Sequence, residues 1–439
     1  MRILLICDAI APLQGIASIR WTKISKYLKK IYGDGIIIDV LTNKKNYDDP
    51  NSTLRLYPKD ILLEKEMCYF DNYFNVDATN GLRFANWYKR KIIGKDRHFI
   101  SGTIATKHTI RTDIKVRIRM LYETYYSYVV CKTLWAFIKD KTAQYDAIIS
   151  SYNPIWPFML AYKMKSQNPK IKWIADFRDI CGRDNIDMAG YAPWHRKYVM
   201  KHSSIADAVL HVDDFINTYT DKRVQDYTVT NGYDPDEAAV PENPKRFDFV
   251  YTGSIYGKQQ DFSVIYNTIN ELISDGKFDI SKIRVIYAGR YGEQAQLMAE
   301  KCGGTQYFVN LGEISRYKVH ELQRKAAILI QAAFNIEGDN CAWTGKMYEY
   351  MMSRKPIVYI VNGDKPYSLP SKYMERLGGV CYEEARHEET YPALKEYIKS
   401  KYDEWVRTGN VEIIQDRSYV EKYSYSTIAE QVWTIINNI

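Results

Sequence analysis

Short apolar runs alternate along the chain with longer segments in which apolar residues recur every three or four positions. Arg2–Cys7 reads as a first strand. It leads through Pro12 and Gly15 into a helix over Ser18–Tyr32, with Ile24, Leu28 and Ile31 on one face. Ile36–Leu41 is a second buried strand and Tyr145–Ser150 a third, ending at Asn153-Pro154. A helix near Trp156–Ser166 and a strand over Ile171–Ala175 follow. Apolar strands without polar alternation, separated by helices, belong to a parallel sheet covered on both faces.

The same rhythm restarts after Ala238–Arg246, a polar stretch with two prolines that reads as a linker. Phe247–Tyr251, Arg284–Ala288, Ala327–Ile330 and Pro356–Ile360 are predicted strands, and Phe262–Leu272 a helix. The predicted architecture is α/β: two doubly wound, Rossmann-like parallel-sheet domains. Residues 1–240 form the first and 247–418 the second, and 419–439 is a terminal helix with Ile428, Val432, Ile435 and Ile436 at helical spacing. Residues 43–144 interrupt the first domain as an insertion much longer than the usual α/β loop. Ile114, Ile118, Leu121, Tyr125, Val129, Leu134 and Phe137 predict a helix there that buries one stripe.

At 439 residues the chain is too long for one ordinary core, which agrees with two domains. With 46% hydrophobic and 26% charged residues it is neither disordered nor low-complexity. No apolar run approaches the roughly 18 residues of a spanning helix, and the opening run is too short for a signal-peptide core. Seven scattered cysteines without a C-x-x-C pair encode neither a disulfide framework nor a zinc cluster, so a cytoplasmic location is expected. The net charge of +8 is local: ten Lys/Arg stand against two Asp between Tyr88 and Arg119. That run suits an anionic membrane surface or ligand, or a solvated helix face. No nucleic-acid-binding motif accompanies it.

In open α/β sheets, ligands bind beyond the carboxyl ends of the strands. Three loops there carry both glycine and a cation: Thr252–Lys258, Ala288–Gly292 and Trp343–Glu349. Glycine lets backbone amides approach an oxyanion, and Lys or Arg supplies full charge, so together the loops suit a phosphate or pyrophosphate. Neither G-x-x-x-x-G-K-[ST] nor G-x-G-x-x-G occurs, so a P-loop kinase or dinucleotide oxidoreductase is not indicated.

Trp173-Ile174-Ala175-Asp176-Phe177-Arg178-Asp179 resembles the D-F-R-D signature of a branch of glycosyltransferase family 4. Thr230-Asn231-Gly232-Tyr233-Asp234 is similar to that family's N-G-x-D turn. Gly345-Lys346-Met347-Tyr348-Glu349-Tyr350, with Arg354-Lys355-Pro356-Ile357, resembles its G-K-x-[YF]-E-Y…G-K-P-I block. Their order covers nearly the whole chain except 43–144. The resemblance implies a GT-B fold with an active site in the cleft between the domains. It further implies a nucleotide-sugar donor held mainly by the second domain and an acceptor by the first.

By resemblance Glu349 holds the donor ribose, and Lys258 loosely matches the lysine that meets the leaving diphosphate. Gly15, Gly253, Ser254, Arg290, Thr344, Gly345 and Lys346 complete the expected donor site, with Arg20 a weaker candidate. Ser254 stands where relatives carry an Arg that Arg290 or Lys346 could replace. Cys341 occupies the place of the first Glu of E-x7-E, leaving Glu337 to face the sugar, with Asp339 its competitor. Arg178 stands where many relatives have His; it cannot act as a base but can orient a phosphate or clamp Asp179, and it counts among the catalytic residues with Glu337. Asp176 and Asp179 are then the catalytic carboxylates, unless they form an internal Asp–Arg–Asp ion pair. His195 and His202 read as structural or solvated.

The implied reaction retains anomeric configuration and needs no metal or other cofactor. The implied acceptor is a saccharide or polyprenyl-linked sugar, in cell-surface polysaccharide biosynthesis at the cytoplasmic membrane face. A nucleotide-sugar epimerase of the same fold and a non-catalytic nucleotide-sugar-binding subunit are the alternatives.

Overall fold

A computed structural model describes residues 1–47, 57–82, 110–178, 191–213, 224–238, 240–255, 260–336 and 345–439. The chain divides into two compact units, Met1–Asn231 with Tyr425–Ile439, and Gly232–Ser424.

The first unit holds strands β1 (Arg2–Ile6), β2 (Ile37–Asn43), β3 (Asn72–Val76), β4 (Ala147–Tyr152), β5 (Lys172–Phe177), β6 (Ala208–His211) and β7 (Gln225–Thr228). They form one sheet in the order β3-β2-β1-β4-β5-β6-β7, every neighbouring pair parallel. The central pairs match apolar residues across the ladder, Ile3 facing Ile38 on one side and Ala147 on the other. Helices α1 (Ile16–Tyr32), α2 (Ile61–Lys65), α3 (Ile110–Ile138), α4 (Trp156–Gln167) and α5 (Tyr191–Ser203) connect them. Asp60 caps α2, its carboxylate accepting from the Leu62 amide at 2.9 Å.

In the second unit, β8 (Phe247–Thr252), β9 (Ile283–Ala288), β10 (Phe308–Asn310), β11 (Ile328–Phe334), β12 (Ile357–Asn362) and β13 (Val380–Glu383) run parallel in the order β10-β9-β8-β11-β12-β13. Helices α6 (Ser263–Ser274), α7 (Gly292–Lys301), α8 (Arg316–Lys325), α9 (Gly345–Ser353), α10 (Leu369–Tyr373), α11 (His387–Thr408) and α12 (Arg417–Glu421) accompany them. In α6, Ile265, Ile269 and Leu272 are buried at the spacing of one helical face.

The last helix, α13 (Tyr425–Asn438), belongs to the first unit. Ile428, Val432, Ile435 and Ile436 are buried, Trp433 stacks on Tyr32 of α1 at 4.4 Å, and Lys172 donates to the Ile436 carbonyl at 2.8 Å.

Two sequence expectations change. The segment 43–144 is not wholly outside the sheet: it supplies β3, an edge strand whose Asn-Tyr-Phe-Asn-Val does not read as an apolar run. Helix α3 forms, but its buried face runs through Val130, Cys131, Leu134 and Ile138. Leu121 and Tyr125, expected on that face, are 72% and 43% exposed. The helix packs against α4, and Ser127 rather than Tyr125 turns inward at the tyrosine-rich end. The basic residues of 88–119 have side chains outside the described part of the structure.

Candidate functional site

In the first unit, the D-F-R-D motif begins at the carboxyl end of β5. Asp176, expected as a catalytic carboxylate, is 0% exposed and its oxygens are occupied. Oδ1 accepts from Arg20 Nε at 3.1 Å and Nη2 at 2.8 Å; Oδ2 accepts from Trp21 Nε1 at 2.7 Å and Ser151 Oγ at 2.9 Å. Its ion-pair partner is thus Arg20, and the pair lies inside the first unit. Arg20 is equally enclosed, which removes it as a phosphate ligand. Its remaining donors reach the carbonyls of Val229 at 2.9 Å and Thr230 at 2.8 Å and the Asn231 side chain at 3.4 Å. A guanidinium has five N–H donors, and these five contacts use them. The N-G turn is therefore tied to β5 through α1.

Arg178 is half-buried and donates to the Asn153 carbonyl. Gly15 precedes α1 with φ +138°, and an added Cβ there would meet nothing within 4 Å. His195 lies 3.4 Å from the Tyr152 hydroxyl, and His202 Nδ1 lies 2.9 Å from the Tyr198 carbonyl oxygen. Asp179, Lys258, Glu337, Asp339, Cys341 and Thr344 fall outside the described residues.

The second unit brings several predicted residues together at one sheet edge. The loops after β8 and β9 continue the ladder past the strands: the Gly253 amide donates to the Ala288 carbonyl at 2.7 Å, and the Gly289 amide to the Gly312 carbonyl at 2.8 Å. A Cβ on Gly289 would stand 2.2 Å from the Gly253 oxygen, so only glycine allows these backbones to meet. Gly253 has φ +101°, and its Cβ would stand 2.5 Å from Lys346 Cε. The glycine thus leaves the channel through which Lys346, from the first turn of α9, reaches β8.

Lys346 Nζ donates to the Tyr251 hydroxyl at 2.7 Å and the Ser254 carbonyl at 3.2 Å, and lies 4.3 Å from the Tyr251 ring centroid. Burial lowers its pKa to about 7, with Glu349 pulling the other way. Arg290 projects into solvent, 58% exposed, and pairs with Glu313 at 2.5 Å.

Glu349 lies three residues after Lys346 on the same face of α9. Its carboxylate faces two side chains of α8. Gln323 Nε2 donates to Oε2 at 3.2 Å, and His320 Nε2 stands 3.9 Å from Oε1. Burial opposes ionisation of Glu349, but His320, Arg316 and Gln323 together hold its pKa below the usual carboxylate range. Gln323 also donates to Thr252 Oγ1 at 2.9 Å, beside the Tyr350 hydroxyl, which in turn donates to the Ile330 carbonyl at 3.0 Å.

Tyr251, His320 and Gln323 were not foreseen. The signal was present in α8, where Arg316, His320, Gln323 and Arg324 recur at helical spacing. That stripe is polar, and a search for apolar stripes passes over it.

The edge therefore offers a cation poised near neutrality, two glycine loops, the start of a nine-residue helix and an ionised carboxylate. The first three suit a diphosphate, and the carboxylate suits hydroxyl donors nearby.

No known family description matches the sequence, and no curated protein sequence matches it. Solved structures do match over the whole chain. Sucrose-phosphate synthase from Thermosynechococcus elongatus superposes with a TM-score of 0.60 at 12% identity, over 100% of this chain and 98% of that one. An E. coli trehalose-6-phosphate protein bound with UDP-2-fluoro glucose gives 0.58 at 10% identity, over 100% and 99%. S. aureus TarM, in complex with fondaparinux, alpha-GlcNAc-glycerol and UDP, gives 0.55 at 13% identity, over 100% of both chains. With parallel sheets of seven and six strands among the described residues, the chain has the GT-B fold of these glycosyltransferases.

Proposed function

We propose that the protein is a glycosyltransferase that binds a nucleotide-sugar donor at the carboxyl edge of the second unit's sheet. The observation that carries this reading is the placement of Lys346 and Glu349 on one face of α9, against the glycine loops after β8 and β9. Lys346 meets the donor diphosphate and Glu349 accepts from the ribose hydroxyls. As the glycosidic bond to the donor breaks, charge grows on the leaving diphosphate, where the Lys346 ammonium and the start of α9 stabilise it. A proton gained by Lys346 on donor binding is what makes it an effective counter-charge.

We extend the reading, on the motif resemblance, to family 4, to transfer with retention and without metal, and to a saccharide or polyprenyl-linked acceptor in cell-surface polysaccharide synthesis. Attachment to an anionic membrane face through 88–119 is part of the same proposal. Among the described residues no helix is long and apolar enough to cross a membrane.

The test is to incubate the protein with UDP-, GDP-, ADP- and dTDP-linked hexoses, with and without polyprenyl-phosphate-linked sugars. Nucleoside diphosphate release and the sugar product are followed by mass spectrometry. Release that depends on acceptor is expected. Conversion of a donor sugar without acceptor would establish an epimerase instead, and no turnover of any donor would refute the enzymatic reading.

A further inference from the structure

Two side chains of α8 that stand against Glu349, Gln323 and His320, are buried and have a polar atom left over. Gln323 is 0% exposed, and its Oε1 has no hydrogen-bond partner. Its amide cannot turn over to satisfy that oxygen. Both N–H donors are committed, to Glu349 Oε2 and Thr252 Oγ1, and a flip would set the oxygen against the carboxylate. His320 is 8% exposed, and its Nε2 has no hydrogen-bond partner while lying 3.9 Å from Glu349 Oε1, beyond bonding distance. Its Nδ1 lies at the same 3.9 Å from Glu237 Oε2, which accepts from Arg316 Nη2 at 2.8 Å. A buried polar group without a partner costs free energy, so a helix carrying two of them beside one carboxylate asks for an explanation.

We infer that Gln323 and His320 are positioning residues that fix the plane of the Glu349 carboxylate, so that it reads a vicinal diol and the protein selects ribonucleotide over 2′-deoxyribonucleotide donors. The inference rests on the proposed donor site and deepens it. Gln323 anchors one oxygen to β8 through Thr252, while His320 walls the other and stops it rotating toward Glu237. With its plane fixed, each carboxylate oxygen keeps a lone pair for one hydroxyl of the pair. A carboxylate free to rotate would accept from a single hydroxyl nearly as well as from two and would not distinguish the deoxy analogue.

Calorimetric titration tests this with UDP, GDP, ADP and CDP and their 2′-deoxy forms, on the wild type, Gln323→Leu, His320→Leu and Glu349→Ala. Melting temperatures verify that each variant folds. The wild type is expected to prefer the ribose form of its nucleotide by about tenfold or more, the worth of a hydrogen bond to a charged group. Gln323→Leu and His320→Leu should weaken the ribose form by a similar factor and leave the deoxy form within about threefold, so the ratio collapses. A role confined to folding would weaken both forms equally, and that result, or an unchanged ratio, overturns the inference. If Gln323→Leu does not fold, Gln323→Met, unbranched and of equal length, is read in the same way. If Glu349→Ala loses affinity while the α8 variants keep full discrimination, only this inference fails. If the wild type binds no nucleoside diphosphate, or Glu349→Ala binds as well as wild type, the donor-site reading fails and takes the inference with it.

Discussion

Lys346 shows how one side chain can link burial to ligand binding. Its ammonium is held among Tyr251, Ser254 and the glycine loop, and burial lowers its pKa from 10.5 to about 7. A folded-state pKa below the unfolded value means that the unfolded chain binds more protons between pH 7 and 10.5. Lys346 therefore subtracts from stability at low pH, and that penalty fades as pH rises through this window. A bound diphosphate reverses the balance by favouring the ammonium. At pH 8, nucleoside diphosphate binding should take up close to one proton, seen as a dependence of the calorimetric heat on buffer ionisation enthalpy. The uptake should disappear below about pH 6 and in Lys346→Met. Binding with no proton uptake at pH 8 would show that Lys346 does not meet the phosphates.

Asp176 carries the opposite lesson at the same scale. The D-F-R-D motif was legible as a motif, but the partner that neutralises Asp176 was not, because it stands 156 positions away on α1. Sequence spacing shows neighbours along the chain and not those across a sheet. Removing one member of a fully buried ion pair strands the other, so Asp176→Asn should lose about 3–5 kcal/mol of stability in denaturant unfolding. A change below about 1 kcal/mol would mean that the pair is dispensable for stability.

Among the strands, long apolar runs buried on both faces were the readable ones, whereas β6, four residues long and buried throughout, was not expected. β1, β2, β4, β5, β8, β9, β11 and β12 are apolar runs, and each falls where the run predicts it. β3, β7, β10 and β13 border a sheet or are very short, and their sequences are mixed. An edge strand is covered on fewer sides, so its composition is less constrained. Helix α1 was read in place from Ile24 and Leu28, but Ile31, expected on the same face, is exposed, and Ser18, Arg20, Thr22, Lys23, Ser25 and Lys26 are buried as well. Lys23 and Lys26 share Glu66, at 2.7 Å and 3.0 Å, which compensates for enclosing their charge. Helix α13 closes the other side of α1, so Ile436→Ala should cost about 2–5 kcal/mol. An effect near zero in chemical denaturation would mean that α13 does not cap the first unit.

On the scale of the whole molecule, alternation of strand and helix in two blocks made the architecture readable before any motif was considered, and the fold matches solved glycosyltransferases at 10–13% identity. Such similarity preserves the layering of sheets and helices but fixes no substrate, since function resides in the site rather than the fold. The candidate site was half legible. Gly253, Ser254, Lys346 and Glu349 follow from loop position and motif, and the structure brings them to one edge. The residues that brace them are Tyr251, in a strand read only as apolar core, and His320 and Gln323, in a helix the apolar pattern does not mark.

The central claim is that the edge around Lys346 and Glu349 holds a nucleotide-sugar. Thermal unfolding against UDP, GDP, ADP, CDP and dTDP and their hexose conjugates, on the wild type and Glu349→Ala, tests it most directly. A ligand at 100 times its dissociation constant adds about 2.7 kcal/mol, enough to raise the transition by a few degrees. The account predicts a shift for one ribonucleotide class, larger for the sugar conjugate than for the free nucleotide and lost in Glu349→Ala. An absence of shift with every nucleotide, or an equal shift in Glu349→Ala, would contradict it.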